Sequence, residues 1–199
     1  MTKELLIIFV KNIKAGKVKT RLAKTIGEDS ALKIYQELVN ITEKVSKKIA
    51  SDVRIYFSEA PIENQWKSFY KTTQEGVDLG ERMKNAFQDG FNDGYQRIVL
   101  IGSDLPEIAE EHINHGLNEL KKNDVVFGPA LDGGYYLIGL SKMHHRIFEN
   151  KPWSQPNLLE DTLNELKQNK ITVATLNTLN DIDTFEDLKK FPKLLQLLS

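Results

Sequence analysis

Residues able to hold a phosphate chain stand at several separated places in this sequence, each beside a short apolar run. Gly16-Lys17-Val18-Lys19-Thr20-Arg21-Leu22 follows the run Leu5–Val10. Lys17, Lys19 and Arg21 complement phosphate oxygens, Arg through a bidentate fork. Thr20 adds a hydroxyl, and Gly16 permits close backbone approach. A basic run of this kind can equally be a solvated loop. It is not a Walker A loop, which needs a glycine five residues before the Gly16-Lys17 pair, where this chain has Lys11. No G-x-G-x-x-G fingerprint follows the first apolar run either.

Carboxylates follow the same placement. Asp104 comes after Gly102-Ser103 at the end of the apolar run Ile98–Ile101. There it can ligate Mg2+ or Mn2+, hard cations that take oxygen donors and share them with substrate phosphates, or it can form an Asx turn or cap before Pro106. Asp183, in Asp181-Ile182-Asp183-Thr184, carries the same two readings, because Thr184 is positioned to open a helix with Asp187 three residues on. Asp181-x-Asp183 is not an EF-hand, since the loop's glycine is missing. Asp132-Gly133-Gly134 reads as a hairpin turn, or as a place where Gly133 and Gly134 admit a sugar or nucleotide while Asp132 orients a hydroxyl or takes its proton. Gln74 and Arg82 flank Gly76-Val77-Asp78-Leu79-Gly80-Glu81, a loop entering a helix, and could offer an amide to a base and a charge to a phosphate. His112 and His115 read as a solvated helix face. Trp153 after Pro152 reads as a stacking residue in a flap or as a loop anchor. No serine lies in a G-x-S-x-G elbow, so a hydrolase triad has no support.

Position on a common scaffold is what would make these pieces one site. Leu5–Val10, Val53–Ser58, Arg97–Ile101, Val125–Phe127, Tyr135–Leu140 and Ile171–Leu176 read as strands, several apolar at successive positions as in a parallel sheet covered on both faces. Glu28–Ile49, Leu79–Phe91, Pro106–Lys122, Asn157–Gln168 and Thr184–Phe191 read as helices, with Pro106 in a first turn. The alternation predicts an α/β sandwich with a mostly parallel sheet. Tyr135–Leu140, only a tight turn after its predecessor, is the expected antiparallel strand. Ligands of open α/β sheets bind outside the carboxyl ends of the strands, where a parallel sheet would bring the basic loop and Asp104 to one edge.

Composition narrows the function classes. With 199 residues and no repeat or linker, residues 1–199 are expected to form one domain, and 40% hydrophobic residues supply a sizeable core. A net charge of -1 argues against non-specific nucleic-acid binding. The absence of cysteine excludes disulfides, thiolate metal sites and a cysteine nucleophile. The N-terminal apolar stretch is too short for a membrane span and no small-residue cleavage site follows it, so a soluble cytoplasmic protein is expected.

The motifs Gly16-x-x-Lys19-Thr20-Arg21-Leu22, Gln74-x-Gly76-x-Asp78-Leu79-Gly80-x-Arg82-Met83, Gly102-x-Asp104-x-Pro106, Gly128-Pro129-x-x-Asp132-Gly133-Gly134-Tyr135-Tyr136, Pro152-Trp153-Ser154 and Asp181-Ile182-Asp183-Thr184 occur in that order. Together they resemble the DUF2064 family of GT-A-type nucleotide-diphospho-sugar transferases, commonly described as glycosyltransferases and similar to phospholactate guanylyltransferases. The resemblance implies a GT-A-like, Rossmann-like three-layer αβα sandwich. It implies phosphate contacts from Lys19 and Arg21, metal ligation by Asp104, and a second acidic position at Asp183. The family's Pro-x-Pro-Gly run is here Asn12-Ile13-Lys14-Ala15-Gly16, which should leave the loop less preorganised.

The expected function is a Mg2+- or Mn2+-dependent transferase with a nucleotide or nucleotide-sugar donor and a small-molecule acceptor, most simply glycosyl transfer. Nucleotidyl transfer with release of pyrophosphate is the alternative, and a non-catalytic nucleotide-binding protein is a third. Asp104, Asp132 and Lys19 are the candidate catalytic residues.

Overall fold

Alternation of side chains along the first strand sets up both faces of the molecule. In the computed structural model, which describes residues 3–14 and 16–198, β1 (Glu4–Val10) is buried almost throughout. Leu6, Ile8 and Val10 enter one core, while Leu5, Ile7 and Phe9 enter the other, as the two-residue period of a strand requires. Ala15 of the loop that replaces Pro-x-Pro-Gly lies outside the described residues, as do Met1 and Thr2.

In chain order the elements are β1, α1 (Thr20–Ile26), α2 (Glu28–Ser46), β2 (Asp52–Phe57), β3 (Tyr70–Thr73), α3 (Leu79–Asn92), β4 (Arg97–Ile101) and α4 (Glu110–Glu119). They continue with β5 (Val125–Pro129), β6 (Tyr135–Leu140), α5 (Leu158–Gln168), β7 (Val173–Thr175), α6 (Phe185–Leu188) and α7 (Pro192–Leu195). The sheet order is β3-β2-β1-β4-β6-β5-β7. Its pairs are parallel except those of β6, which runs antiparallel to β4 and to β5. The chain is thus an α/β protein with a mostly parallel sheet and the expected exception at Tyr135–Leu140.

Helices cover both faces. Tyr35 and Val39 of α2 and Ile113 and Leu117 of α4 pack on one face. Met83 and Phe87 of α3 and Leu159 and Leu166 of α5 pack on the other. A third cluster gathers Leu22 of α1, Ala31, Ile34 and Leu38 of α2, Ile182, and Leu188 and Leu194 near the C-terminus. Among the described residues no helix is long and apolar enough to cross a membrane.

Several boundaries differ from the sequence reading. β3 was not foreseen, because Tyr70–Thr73 is an edge strand with no buried residue to create alternation. The basic loop ends at Lys19, three residues sooner than expected, since Thr20 already begins α1. Pro106 does not open a helix. Leu105 and Ile108 turn into the core, and α4 starts at Glu110 after Ala109. His112, expected on a solvated face, instead accepts the Ala109 N–H through Nδ1 at 3.1 Å and lies edge-on to Tyr136. The helix expected over Thr184–Phe191 is the short α6, and α7 follows Phe191; Thr184 caps α6 and Asp187 returns the bond, as the spacing predicts.

Candidate functional site

Parallel pairing of β1 with β2 and with β4 brings three loops to one rim of the sheet. The loop after β1 is fastened on both sides. Asn12 is buried; its amide donates to Ala60 O at 2.8 Å, and its Oδ1 accepts from Glu59 N at 2.9 Å. On the other side the Tyr35 hydroxyl of α2 accepts Lys11 N–H at 3.0 Å and lies 3.1 Å from Ser103 Oγ, next to Asp104. Burial pushes the Tyr35 phenol up to about 12, so it remains a neutral hydrogen-bonding group.

Lys19 joins this loop to Asp104. It precedes α1 in the left-handed conformation, φ 47° and ψ 44°, an arrangement that costs a non-glycine residue about 1 kcal/mol or more. Its side chain is only 5% exposed, and Nζ donates to Asp104 Oδ2 at 3.0 Å. Burial lowers the Lys19 pKa, but Asp104 at its side, with Asp181 and Asp183 beyond, more than reverses this. Burial likewise raises Asp104, and the charge and hydrogen bond of Lys19 outweigh it, so the carboxylate stays low and ionised. Arg21, 72% exposed on α1, donates to Asp183 Oδ2 at 2.8 Å. Gly16, with φ 71°, makes the turn closed by Lys17 N–H to Lys14 O at 3.1 Å, and Lys17 and Thr20 are exposed.

Ile182 explains how the last acidic motif reaches this rim. It is fully buried against α1 and α2, which directs its neighbours Asp181 and Asp183 away from that cluster. Asp181 lines a cleft of about 250 Å³ together with Asp104 and Asp132. Phe9, Leu79, Met83, Tyr135 and Trp153 supply its apolar wall. Burial first, then the charges of Asp104, Asp132 and Asp183, raise Asp181 to about 6 against the opposing pull of Lys19. Sequence reading gave the second acidic role to Asp183. The structure puts Asp181 in the cleft and Asp183 on Arg21, a distinction legible only from the buried residue between them.

Other candidates fall in different places. Gly134 lines the cleft, and its N–H donates to Asp132 Oδ1 at 2.9 Å. Gly133, by contrast, is filled in: it has φ 88°, its carbonyl accepts from Leu159 N at 3.0 Å, and a Cβ there would lie 1.8 Å from Pro156 O. Gln74 and Arg82 serve the backbone. The Gln74 amide donates to Tyr56 O at 3.0 Å, and Arg82 Nε donates to Gly76 O at 3.1 Å. Trp153 is seated on Gly80, where a Cβ would be 2.5 Å from the indole ring. Ser154 beside it holds φ 63°. Tyr135 was missed as a site residue, because apolar neighbours made it read as plain strand. Among the described residues no three carboxylates or histidines gather as a ready-made metal cage.

A family model described as "Uncharacterized protein conserved in bacteria (DUF2064)" matches residues 41–155, more than half of the chain. The match includes Asp104 and Asp132, while Lys19 and Asp181 lie outside it. The chain is 30% identical to a solved "putative nucleotide-diphospho-sugar transferase" from Desulfovibrio desulfuricans G20, with a TM-score of 0.87 over 100% of this chain and 99% of that one. 4-Diphosphocytidyl-2C-methyl-D-erythritolsynthase from Anaerococcus prevotii DSM 20548 shares the fold at 12% identity, with a TM-score of 0.64 over 98% of this chain and 96% of that one. The manganese complex of Rv0371C from Mycobacterium tuberculosis H37Rv does so at 12% identity, with a TM-score of 0.58 over 96% of this chain and 99% of that one. No curated protein matches.

Proposed function

Since the chain belongs to the DUF2064 family, we propose that it is a transferase with a nucleotide donor, acting on a nucleotide-diphospho-sugar and a small hydroxylic acceptor. The observation that carries this reading is the Lys19–Asp104 ion pair, which joins the basic β1–α1 loop to the rim of a cleft also lined by Asp132 and Asp181. The 30% identical relative, described in nucleotide-diphospho-sugar terms, supports it.

The residues divide the work. Lys17 and Arg21 present exposed charge to a diphosphate, whose developing negative charge in the transition state such groups stabilise. Lys19, buried on Asp104, acts through that carboxylate by holding it ionised and in place. The acceptor's hydroxyl oxygen bonds to the sugar's anomeric carbon, and the bond from that carbon to the diphosphate breaks. The nucleoside diphosphate leaves with the electron pair, and the hydroxyl proton passes to Asp132, the exposed carboxylate of the cleft.

A divalent cation suits the donor set. Asp104 and Asp181 offer hard oxygens, and the burial and, after it, the neighbouring carboxylates that raise Asp181 are what a cation's charge would offset. Asp104 with Asp181, and Asp183 once released from Arg21, would hold it, with phosphate and water completing its oxygens as Mg2+ prefers. Such an ion supplies charge neutralisation at the diphosphate. The manganese complex of the M. tuberculosis fold neighbour is consistent with such an ion.

Thermal melting with a panel of nucleotides and nucleotide-sugars, with and without Mg2+ or Mn2+, tests the donor. A ligand at about 100 times its dissociation constant adds about 2.7 kcal/mol. Free nucleoside diphosphate from a nucleotide-sugar supports glycosyl transfer. Pyrophosphate from a nucleoside triphosphate with a sugar phosphate would replace it with nucleotidyl transfer, and no shift with any nucleotide would remove the reading.

A further inference from the structure

Five cations run from Lys11 to Arg21, and their partners set them apart. Lys14 is paired with Glu59, Lys19 with Asp104 and Arg21 with Asp183. Lys11 and Lys17 are exposed and form neither an ion pair nor a side-chain hydrogen bond among the described residues. Lys17 belongs to the turn made by Gly16, whereas the Lys11 backbone is held twice. The buried Tyr35 hydroxyl accepts its N–H at 3.0 Å and donates to its carbonyl at 3.1 Å. With the one phenolic proton used there, Ser103 donates its own to the Tyr35 oxygen at 3.1 Å. The next residue is fixed as well, since Asn12 N–H donates to Ser58 Oγ at 3.0 Å. The fold thus immobilises the base of a side chain whose charged end is committed to nothing.

Sheet order gives that position a meaning. From β1 the chain crosses through α2, in one core, to β2 and β3. It returns through α3, in the other core, to β4 on the opposite side of β1. The direction of winding therefore reverses between β1 and β4, and open α/β sheets bind ligands in the crevice at such a point, outside the carboxyl ends of the strands. Lys11 is the first residue after β1, and Gly102, Ser103 and Asp104 follow β4. Tyr35 spans the two loops, through Lys11 on one side and Ser103 on the other. The Lys11 charge reaches Asp104, after that of Lys19. Phe9, two residues before Lys11, lines the cleft with Gly102. An ammonium there meets an anion with no counter-ion to displace and little backbone left to order, two costs that preorganisation removes.

Resting on the transferase reading above, we propose that Lys11 is the main cation holding the donor's diphosphate, and that Tyr35 is the positioning residue that sets Lys11 beside Asp104. Lys19 keeps Asp104 in place, and Arg21 reaches phosphate only after leaving Asp183. Lys11 needs no such exchange. Its ammonium donates to phosphate oxygens that gain charge as the diphosphate departs.

Isothermal titration calorimetry with UDP, GDP, CDP, ADP and dTDP, each with Mg2+, tests this. The proteins are wild type, Lys11→Gln, Lys11→Arg, Lys17→Gln, Tyr35→Phe and the double variant Lys11→Gln with Tyr35→Phe. For the diphosphate that wild type binds best, Lys11→Gln should weaken binding about tenfold or more, the loss of one charge-assisted bond. Without ligand its melting temperature should stay within about 2 °C of wild type, because the side chain is exposed and unpaired. Lys11→Arg should recover most of the affinity, and Lys17→Gln should lose about threefold or less. Tyr35→Phe should weaken binding by itself and add nothing on top of Lys11→Gln, a cancellation that a general disturbance of the fold would not produce. A smaller loss from Lys11→Gln, or one matched by Lys17→Gln, overturns the assignment of Lys11. A Tyr35→Phe effect that persists undiminished beside Lys11→Gln overturns the positioning role. Diphosphate binding that ignores Lys11 removes this inference alone, while wild type that binds none of the five removes the transferase reading and this inference with it.

Discussion

Breaking the Lys19–Asp104 pair from either side should give unequal losses of stability that do not add. At 3.0 Å and an effective dielectric near 20, the gross attraction is about 5.5 kcal/mol. Most of it is offset by the cost of drying Lys19, whose side chain is 5% exposed. Removing one partner of a buried pair costs about 3–5 kcal/mol. Asp104 keeps 34% of its side-chain surface open, so water screens it when it is left alone, and Lys19→Met is expected to cost about 2 kcal/mol. Asp104→Asn strands the more deeply buried ammonium and should cost about 3 kcal/mol. The double variant buries no charge and should lose about 2–3 kcal/mol in total, leaving a coupling of about 2–3 kcal/mol. Lys19→Gly should recover about 1 kcal/mol relative to Lys19→Met, because glycine accepts φ 47° without strain. Urea unfolding of the four variants, fitted with a common slope, measures all of this. Single losses that add to within about 0.5 kcal/mol would refute the claim that this pair holds the loop to β4.

Three further expectations concern neighbouring parts of the frame. Gly80→Ala places a methyl 2.4 Å from Phe148 O and 2.5 Å from the Trp153 ring, so it should destabilise by about 1–3 kcal/mol and shift Trp153 fluorescence; an unchanged spectrum would show that Trp153 does not rest there. Gly133→Ala should cost more, at least about 3 kcal/mol, because φ is 88° and the Pro156 carbonyl stands 1.8 Å from the new atom; a melting temperature within 2–3 °C of wild type, a shift worth only about 1 kcal/mol, would contradict it. Asp187 links stability to acid. Burial tends to raise it, but hydrogen bonds from Thr184 and Asn180 bring it to about 2. Its folded value lies below the unfolded one of about 3.9, so it contributes about 1–2 kcal/mol above that value, and this is lost as pH falls through about 2. Asp187→Asn should therefore lower stability at pH 7 and make no difference below pH 2, read from urea midpoints at both values.

What could be read from the sequence depended on whether a residue's role is local. The strands β1, β4 and β6 announce themselves by continuous apolar runs, and the Thr184–Asp187 cap follows from spacing alone. β3 could not be seen, because a four-residue edge strand with no buried side chain carries no pattern. α1 was hidden by its charges and by a left-handed Lys19 at its entrance. At the site, the meeting of the basic loop with Asp104 follows from parallel pairing, so strand-end position was enough to expect it. The pairing of Arg21 with Asp183 was not legible, since it joins residues 162 positions apart. Gln74, Arg82 and Gly133 share glycine-rich, polar surroundings with binding loops, yet they spend their hydrogen bonds and space on neighbouring backbone. Composition does not separate those two uses.

The antiparallel β6 has a consequence in time as well as in space. Pro129 of β5 pairs with Tyr135 of β6 across a very short loop, whereas Lys19 meets Asp104 across 85 positions and Arg21 meets Asp183 across 162. Closing a short loop is entropically cheap and long ones are dearer, so the β5–β6 hairpin should form early and carry Asp132 with it. The remaining corners of the cleft arrive only when the ends of the chain are gathered. Folding φ-values near one at the β5–β6 turn and near zero at Ile182 would express this order, and the reverse pattern would contradict it. A chain caught midway would already display its hairpin carboxylate while lacking any place to put a phosphate.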